Sequence, residues 1–382
     1  MKKITALILT FAILMLCVDF SASAEDKPTV SAVGAVLISA DTGEIIYSHN
    51  SFQKLPMAST TKIMSALLLL ESGNLDEEFV VDSEAIKVEG SSMGLVEGDI
   101  VTKYALCCGM LLPSGNDAAN AAAVCVAGSV ERFAELMNKR AEQIGMTHSY
   151  FVTPSGLDAQ GHGASAYDMA LLAREALKNE TFREICSKES IQLQFGNPPY
   201  DRWLKNTNKL LSMYDGVYGV KTGFTDDAGR CLVSACERDG KNLICVTLND
   251  KNDWQDHISM YEYGFKQVKL VTPKIPDNIT ADVAGGVNDS ILLAVNEVPE
   301  ICTVGNSENG YTYKVKAPPF LYAPFEESQQ AGMLEISTDG RKICEIPLFT
   351  AESCEMKKSP KKEKGFFEKL KNKIVKLLKQ EK

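Results

Sequence analysis

Three short stretches carry side chains whose types and spacing can do chemistry. In "MASTTKIM", Ser59 and Lys62 stand three residues apart at the mouth of an apolar run. In "LLPSGNDAAN", Ser114, Gly115 and Asn116 sit between two leucines and an alanine-rich segment. In "VYGVKTGFT", Lys221, Thr222, Gly223 and Phe224 end an apolar alternation. A serine hydroxyl is a weak nucleophile until a base takes its proton. A lysine can be that base once it is neutral. Bringing its pKa from about 10.4 to about 7 requires roughly 4.6 kcal/mol of bias against the ammonium form. Burial and a second cation nearby supply such a bias, and Lys221 is the candidate cation.

Each stretch also has a plain structural reading. Ser59 can cap a helix and Lys62 can lay its stem along apolar surface. Ser114 to Asn116 can be a helix N-cap turn, and Lys221 to Gly223 a strand leaving through a glycine. The spacing Ser-x-x-Lys arises by chance about once or twice in a chain this long; Ser51/Lys54 and Ser359/Lys362 fit it too. Ser51 and Lys54 precede Pro56 with no helical run behind them, and Ser359 is followed by Pro360. Only Ser59 and Lys62 open a helical pattern, in which residues i and i+3 share one surface. His162 reads as a structural hydrogen-bonding residue rather than a base.

The elements that must position these groups follow from patterning. "TVSAVGAVLISADTGEIIYSHNS" alternates as two strands around the turn Asp41-Thr42-Gly43. Ile63 to Leu70 is a helix closed by Gly73, the segment from Leu95 to Gln143 reads mostly helical, and "SAYDMALLAREALKN" is a further amphipathic helix. "GVYGVKTG", "RCLVSACE" and "NLICVTL" are strands, the last two joined by Asp239-Gly240, and "DWQDHISMYEYGFKQV" is helix. Strands at both ends with helices between predict one α/β unit with a mainly antiparallel sheet. Beyond Pro273 and Pro276, short apolar strands such as "SILLAV", "YTYKVKA" and "GMLEIST" predict a small all-β domain.

The chain has 382 residues. Residues 1–24 read as a signal peptide: Lys2 and Lys3, then an apolar run, then Ala22-Ser23-Ala24 as the cleavage site. The expected division continues as a catalytic domain over 25–270, a β-rich domain over 271–350, a linker over 351–364 and an amphipathic helix over 365–382. From Lys357 to Lys382, eleven lysines face Glu363, Glu368 and Glu381, a net of +8 in a chain whose total is −10. An acidic body argues against nucleic acid, and a basic tail suggests an anionic surface. In that tail Phe366, Phe367, Leu370, Ile374, Leu377 and Leu378 fall on one arc. This predicts peripheral anchoring to an anionic membrane. Ten cysteines would remain after cleavage, scattered and often in apolar runs, so buried thiols and disulfides both stay open. No Cys-x-x-Cys or His-Glu-x-x-His occurs; no metal or other cofactor is expected.

Taken in order, Ser59-x-x-Lys62, Ser114-x-Asn116 and Lys221-Thr222-Gly223 resemble the penicillin-recognising serine enzymes. With the signal peptide, the "DAQGHGASAYDMA" segment, the β domain and the basic tail, the chain is similar to the low-molecular-mass penicillin-binding proteins, the serine-type D-alanyl-D-alanine carboxypeptidases. The resemblance implies a β-lactamase/transpeptidase-like fold and hydrolysis of the terminal D-alanine of peptidoglycan stem pentapeptides through an acyl-enzyme on Ser59. It implies Lys62 as base, Ser114 as proton relay, Asn116 as orienting group, and Lys221, Thr222, Gly223 and Phe224 as substrate-binding residues. It also implies acylation by β-lactams and an exported enzyme at the outer face of the cytoplasmic membrane. Members of this branch often carry a carboxylate-binding arginine near the segment "LNDKNDWQDH", which has none; either Lys251 or Arg230 takes its place, or the role is missing. A serine β-lactamase and a penicillin-binding sensor without turnover are the alternatives.

Overall fold

The computed structural model describes residues 27–304, 310–338, 340–358 and 365–378. The signal-peptide segment and most of the linker lie outside them. The chain divides into two compact units, Met1–Leu270 with Cys302–Asn306, and Val271–Ile301 with Ser307–Lys382.

In the first unit, strands β1 (Gly34–Ser39), β2 (Ile45–His49), β7 (Val217–Thr225), β8 (Gly229–Arg238) and β9 (Lys241–Leu248) form one sheet in the order β2-β1-β9-β8-β7. Every pairing within it is antiparallel. Alternation sends successive side chains of β1 to opposite faces. Val36 and Ile38 join a core with Ile63, Leu67, Val220 and Val246. Ala35 and Leu37 join a second core with Leu232, Leu243, Tyr261 and Phe265. The sheet is therefore covered on both faces, and β1 is buried along its whole length. Asp239 and Gly240 both take positive φ in the β8–β9 turn, as a two-residue hairpin requires.

Helix α1 (Lys62–Glu71) is apolar nearly all round because it is the central helix of the first core. Gly73, at φ 70°, ends it and donates its N–H to the Leu70 carbonyl. Helices α2 (Lys103–Leu111), α3 (Asn116–Ala127), α4 (Val130–Ile144), α5 (Ala166–Ala176) and α6 (Glu180–Ser187) follow. Ser165 caps α5 by accepting the Asp168 N–H. A short α7 (Leu210–Met213) precedes β7, and α8 (Asp253–Gln267) covers the second core.

The helical expectation from Leu95 onward holds only from Lys103. The Asp117 carboxylate accepts the N–H groups of Met93, Gly94 and Leu95 and so locks that stretch as a loop. A turn at Val96–Asp99 then leads into strand β4 (Ile100–Thr102), paired with β3 (Glu78–Val80). A hairpin of β5 (Ser190–Gly196) and β6 (Pro199–Lys205), absent from the reading of the sequence, completes the unit. All ten cysteines of the described residues are free thiols, eight of them buried.

The second unit holds a six-stranded sheet whose longest hairpin joins Gln330–Thr338 to Arg341–Thr350. Its core is Ile279, Val283, Ile291, Leu293, Phe325, Leu334, Ile336, Ile346 and Leu348. Residues Phe366–Leu378 form a helix that leaves Leu370, Ile374 and Val375 exposed. No helix among the described residues is long and apolar enough to cross a membrane.

Candidate active site

The three motifs converge on one cavity of about 500 Å³ in the first unit. Its wall includes Ser59, Ser91, Ser114, Thr207, Thr222, Gly223, Phe224 and Arg230.

Ser59 lies in a 3-10 turn, Ala58–Thr61, that runs directly into α1. Ala58 takes φ 47°, a left-handed conformation that costs a non-glycine residue about 1 kcal/mol or more. Ser114 does the same at φ 68°. Strain at both serine-bearing turns is held by the packing around them. Gly156 lies against the first turn, where a Cβ would stand 1.9 Å from the Ala58 carbonyl oxygen, so only glycine fits. Gly223 brings β7 close as well: a Cβ there would lie 3.0 Å from the Ser59 nitrogen.

Lys62 is fully buried. Its Nζ lies 2.8 Å from Ser59 Oγ, 2.6 Å from Asn116 Oδ1 and 2.6 Å from the Ser155 carbonyl oxygen. Asn116 cannot present its amide nitrogen instead, because Nδ2 already donates to the Glu89 carbonyl at 2.7 Å. Two of the three partners of Nζ can therefore only accept, while the Ser59 hydroxyl can also donate. A neutral amine has two N–H donors and one lone pair. The cage satisfies both donors and leaves the lone pair facing the Ser59 proton.

Burial first, and then the positive charge of Lys221, hold the Lys62 ammonium well below its ordinary pKa; the Asp117 carboxylate pulls the other way. Lys221, 1% exposed on β7, is drawn down to about 7 by burial, and its Nζ donates to the Thr222 carbonyl at 2.8 Å. Both amines are buried, and the Lys221 charge works against a proton on Lys62.

Register sets what else faces the cavity. Thr222 pairs with Leu232 and Phe224 with Arg230 across β7–β8, so Thr222, Phe224 and Arg230 share one face. The Thr222 hydroxyl meets that of Thr207 at 2.6 Å. The Arg230 guanidinium is anchored by Asp253 Oδ1, at 3.1 Å from Nε and 2.5 Å from Nη2, and stacks over Trp254. That leaves Nη1 unused by this anchor. Lys251, the other substitute named from the sequence, is exposed and is not part of the cavity wall.

His162 lies behind the turn. Its Nδ1 accepts the Val152 N–H at 2.9 Å, which leaves Nε2 to donate to Thr61 Oγ1 at 3.0 Å. Burial pulls its pKa to about 4, so it is neutral and braces the turn. Two contributors escaped sequence reasoning. The Ser155 carbonyl is a backbone group 93 residues from Lys62 and carries no side-chain signal. Asp117 had one: an acid in the first turn of a helix is a ready acceptor for N–H groups.

Residues 21–252 match the family model described as D-alanyl-D-alanine carboxypeptidase, and residues 265–356 match the C-terminal domain of penicillin-binding protein 5. The chain is 33% identical to the D-alanyl-D-alanine carboxypeptidase DacF of Bacillus subtilis over 340 residues, covering 86% of each. It is 31% identical to DacC of Escherichia coli over 360 residues, covering 90% of this chain and 87% of that one. Among solved structures, the DacD carboxypeptidase of Francisella tularensis superposes with a TM-score of 0.64 at 25% identity, over 90% of this chain and 98% of that one. The Streptomyces K15 DD-transpeptidase gives 0.60 at 32% identity over 63% of this chain and 99% of that one. The motifs, the fold that gathers them and these matches agree: the chain belongs to the D-alanyl-D-alanine carboxypeptidase family of serine peptidases.

Proposed function

We propose that the chain removes the terminal D-alanine of peptidoglycan stem pentapeptides through an acyl-enzyme on Ser59. The observation that carries this is the Lys62 amine held 2.8 Å from Ser59 Oγ in a cage suited to its neutral form. Lys62 takes the Ser59 proton as Oγ attacks the carbonyl carbon of the D-Ala–D-Ala bond. The oxyanion develops between the N–H groups of Ser59 and Phe224. Strand β7 is the last in its sheet, so its outer edge is open to a substrate laid alongside as an extra strand. Ser114 passes the proton to the departing amine as the C–N bond breaks. Asn116 orients Lys62 and the substrate amide. Water then attacks the ester, the acyl group leaves, and Ser59 regains its proton. Lys221 and Thr222 receive the terminal carboxylate, with Arg230 as a permanent cation on the same face. A β-lactam acylates Ser59 and hydrolyses slowly. The test is release of D-alanine from diacetyl-lysyl-D-Ala-D-Ala by the parent, with none from Ser59→Ala; no release and no penicillin adduct from a folded parent would overturn the reading.

We further propose export, cleavage after Ala24, and peripheral anchoring at the outer face of the cytoplasmic membrane. Support comes from the net +8 of residues 357–382 and the exposed Leu370, Ile374 and Val375. Lysines near an anionic surface contribute about 1 kcal/mol each. A form ending at Ser359 is expected to lose binding to anionic vesicles; equal binding by both forms would remove the anchor from the account.

A further inference from the structure

The β5–β6 hairpin has two unlike faces. Ile191, Leu193, Phe195, Arg202 and Leu204 turn inward. The outward face carries Ser190, Gln192, Gln194, Asp201, Trp203 and Lys205, all exposed. Trp203 stands in the middle of that polar row at 68% exposure. A large ring left that exposed gains little from folding.

Its neighbours are not a random polar surface. Gln192 lies directly opposite Trp203, and Gln194 opposite Asp201. The Asp201 carboxylate accepts from both amides, Gln192 Nε2 at 2.9 Å and Gln194 Nε2 at 2.7 Å. This brace fixes both glutamines before any ligand arrives. Each keeps its Oε1 and one N–H free of that brace. An aromatic face edged by preorganised amides matches a pyranose, which offers a C–H face to the ring and hydroxyl and acetamido groups to the amides. An anionic or purely apolar ligand would gain less from this row, which holds one carboxylate and one lysine beside the amides.

The hairpin is continuous with the cavity. Strand β6 ends at Lys205, and Thr207 is already part of the cavity wall. Trp203 and Thr207 are four residues apart, at most about 14 Å of chain. Four residues of an extended stem lie between the scissile bond and the sugar, about 14 Å. That matches the length of chain from the cavity wall at Thr207 to Trp203.

We infer that the outward face of the 190–205 hairpin, centred on Trp203, binds the N-acetylated glycan strand that carries the stem peptide. This rests on the proposed peptidoglycan substrate. The face selects polymer over free peptide by tethering, and takes no part in the bond cleavage.

The test compares D-alanine release from polymeric peptidoglycan and from diacetyl-lysyl-D-Ala-D-Ala by the full chain, Trp203→Ala and Gln192→Ala. Trp203→Ala is expected to lose about fivefold or more in kcat/KM on the polymer and to stay within twofold on the peptide. Peptide-free glycan strands are the binding probe. The chain has two tryptophans, so in Trp254→Phe the emission reports Trp203 alone and should shift on titration with the strands. Equal rates of parent and Trp203→Ala on the polymer would overturn the inference and leave the peptidase reading intact. So would a matching loss on polymer and peptide, which would make Trp203 a support of the fold. An unchanged emission would overturn it as well.

Discussion

Raising the pH should disarm the carboxylate grip while leaving the base in its working form. Lys221 in the free enzyme gives up its proton at about 7. Its ammonium form, which in the proposed mechanism pairs with the substrate's carboxylate, is present below that value and lost above it. Lys62 works in the opposite sense: it must be neutral, and its pKa is lowered far from the ordinary range. The ratio kcat/KM reports groups of the free enzyme. For a carboxylate-bearing peptide it should therefore rise at low pH as Lys62 deprotonates and fall above about 7 as Lys221 does. The Arg230 guanidinium is a second contact for that carboxylate, so the fall levels off once the Lys221 contribution is gone. A hydrogen bond to a charged group contributes about 1.5–3 kcal/mol, which sets the total fall at roughly 10- to 150-fold. Bound carboxylate raises Lys221 again, so kcat stays flat to higher pH. The assay is D-alanine release from diacetyl-lysyl-D-Ala-D-Ala at low substrate from pH 5 to 10, beside a thioester acyl donor with no terminal carboxylate. A flat alkaline limb with the peptide, or the same fall with the thioester, would refute the reasoning.

Three substitutions extend it. Arg230→Leu should lower kcat/KM for the peptide by about 10- to 100-fold and leave thioester hydrolysis nearly unchanged; a common loss on both would assign Arg230 to structure. Gly223→Ala places a methyl 3.0 Å from the Ser59 nitrogen and 3.1 Å from the Met57 carbonyl oxygen, neither of which can swing aside. It should destabilise by about 1–3 kcal/mol and cut acylation about 100-fold, read by melting and by penicillin binding. Lys221→Met should raise Tm at pH 7 while weakening peptide binding. An unfolded lysine holds its proton up to 10.5 and this folded one only to about 7, so the fold carries a cost on the order of 5 kcal/mol below 7 that fades towards 10.5. A lower Tm at pH 7 would reverse that sign.

Much of this site was legible because its key groups sit in short motifs. Ser59 and Lys62 share one helical turn, and Asn116 and Lys221 each lie in a polar break within apolar patterning. What escaped was set by distant segments. The Ser155 carbonyl reaches Lys62 only because the loop through Pro154 is tied to α1 by the Ser65 hydroxyl. Leu95 to Thr102 has helix-compatible residues, but Asp117, 22 to 24 positions away, claims the N–H groups of Met93, Gly94 and Leu95 where that helix would begin. The 190–205 hairpin alternates over both strands, yet its outward row of Gln, Asp and Trp carries none of the β-branched enrichment by which a strand is usually recognised. Arg230 was one of two substitutes until register placed it on the face of Thr222.

The central claim is that a neutral Lys62 takes the Ser59 proton. Its most direct test is the rate of acylation by benzylpenicillin in Lys62→Met, which keeps the volume of the buried chain and removes the base. Lys62→Met is expected to fold and to be acylated about 1,000-fold more slowly or worse, with no acylation of Ser59→Ala. Acylation of Lys62→Met within tenfold of the parent would contradict it.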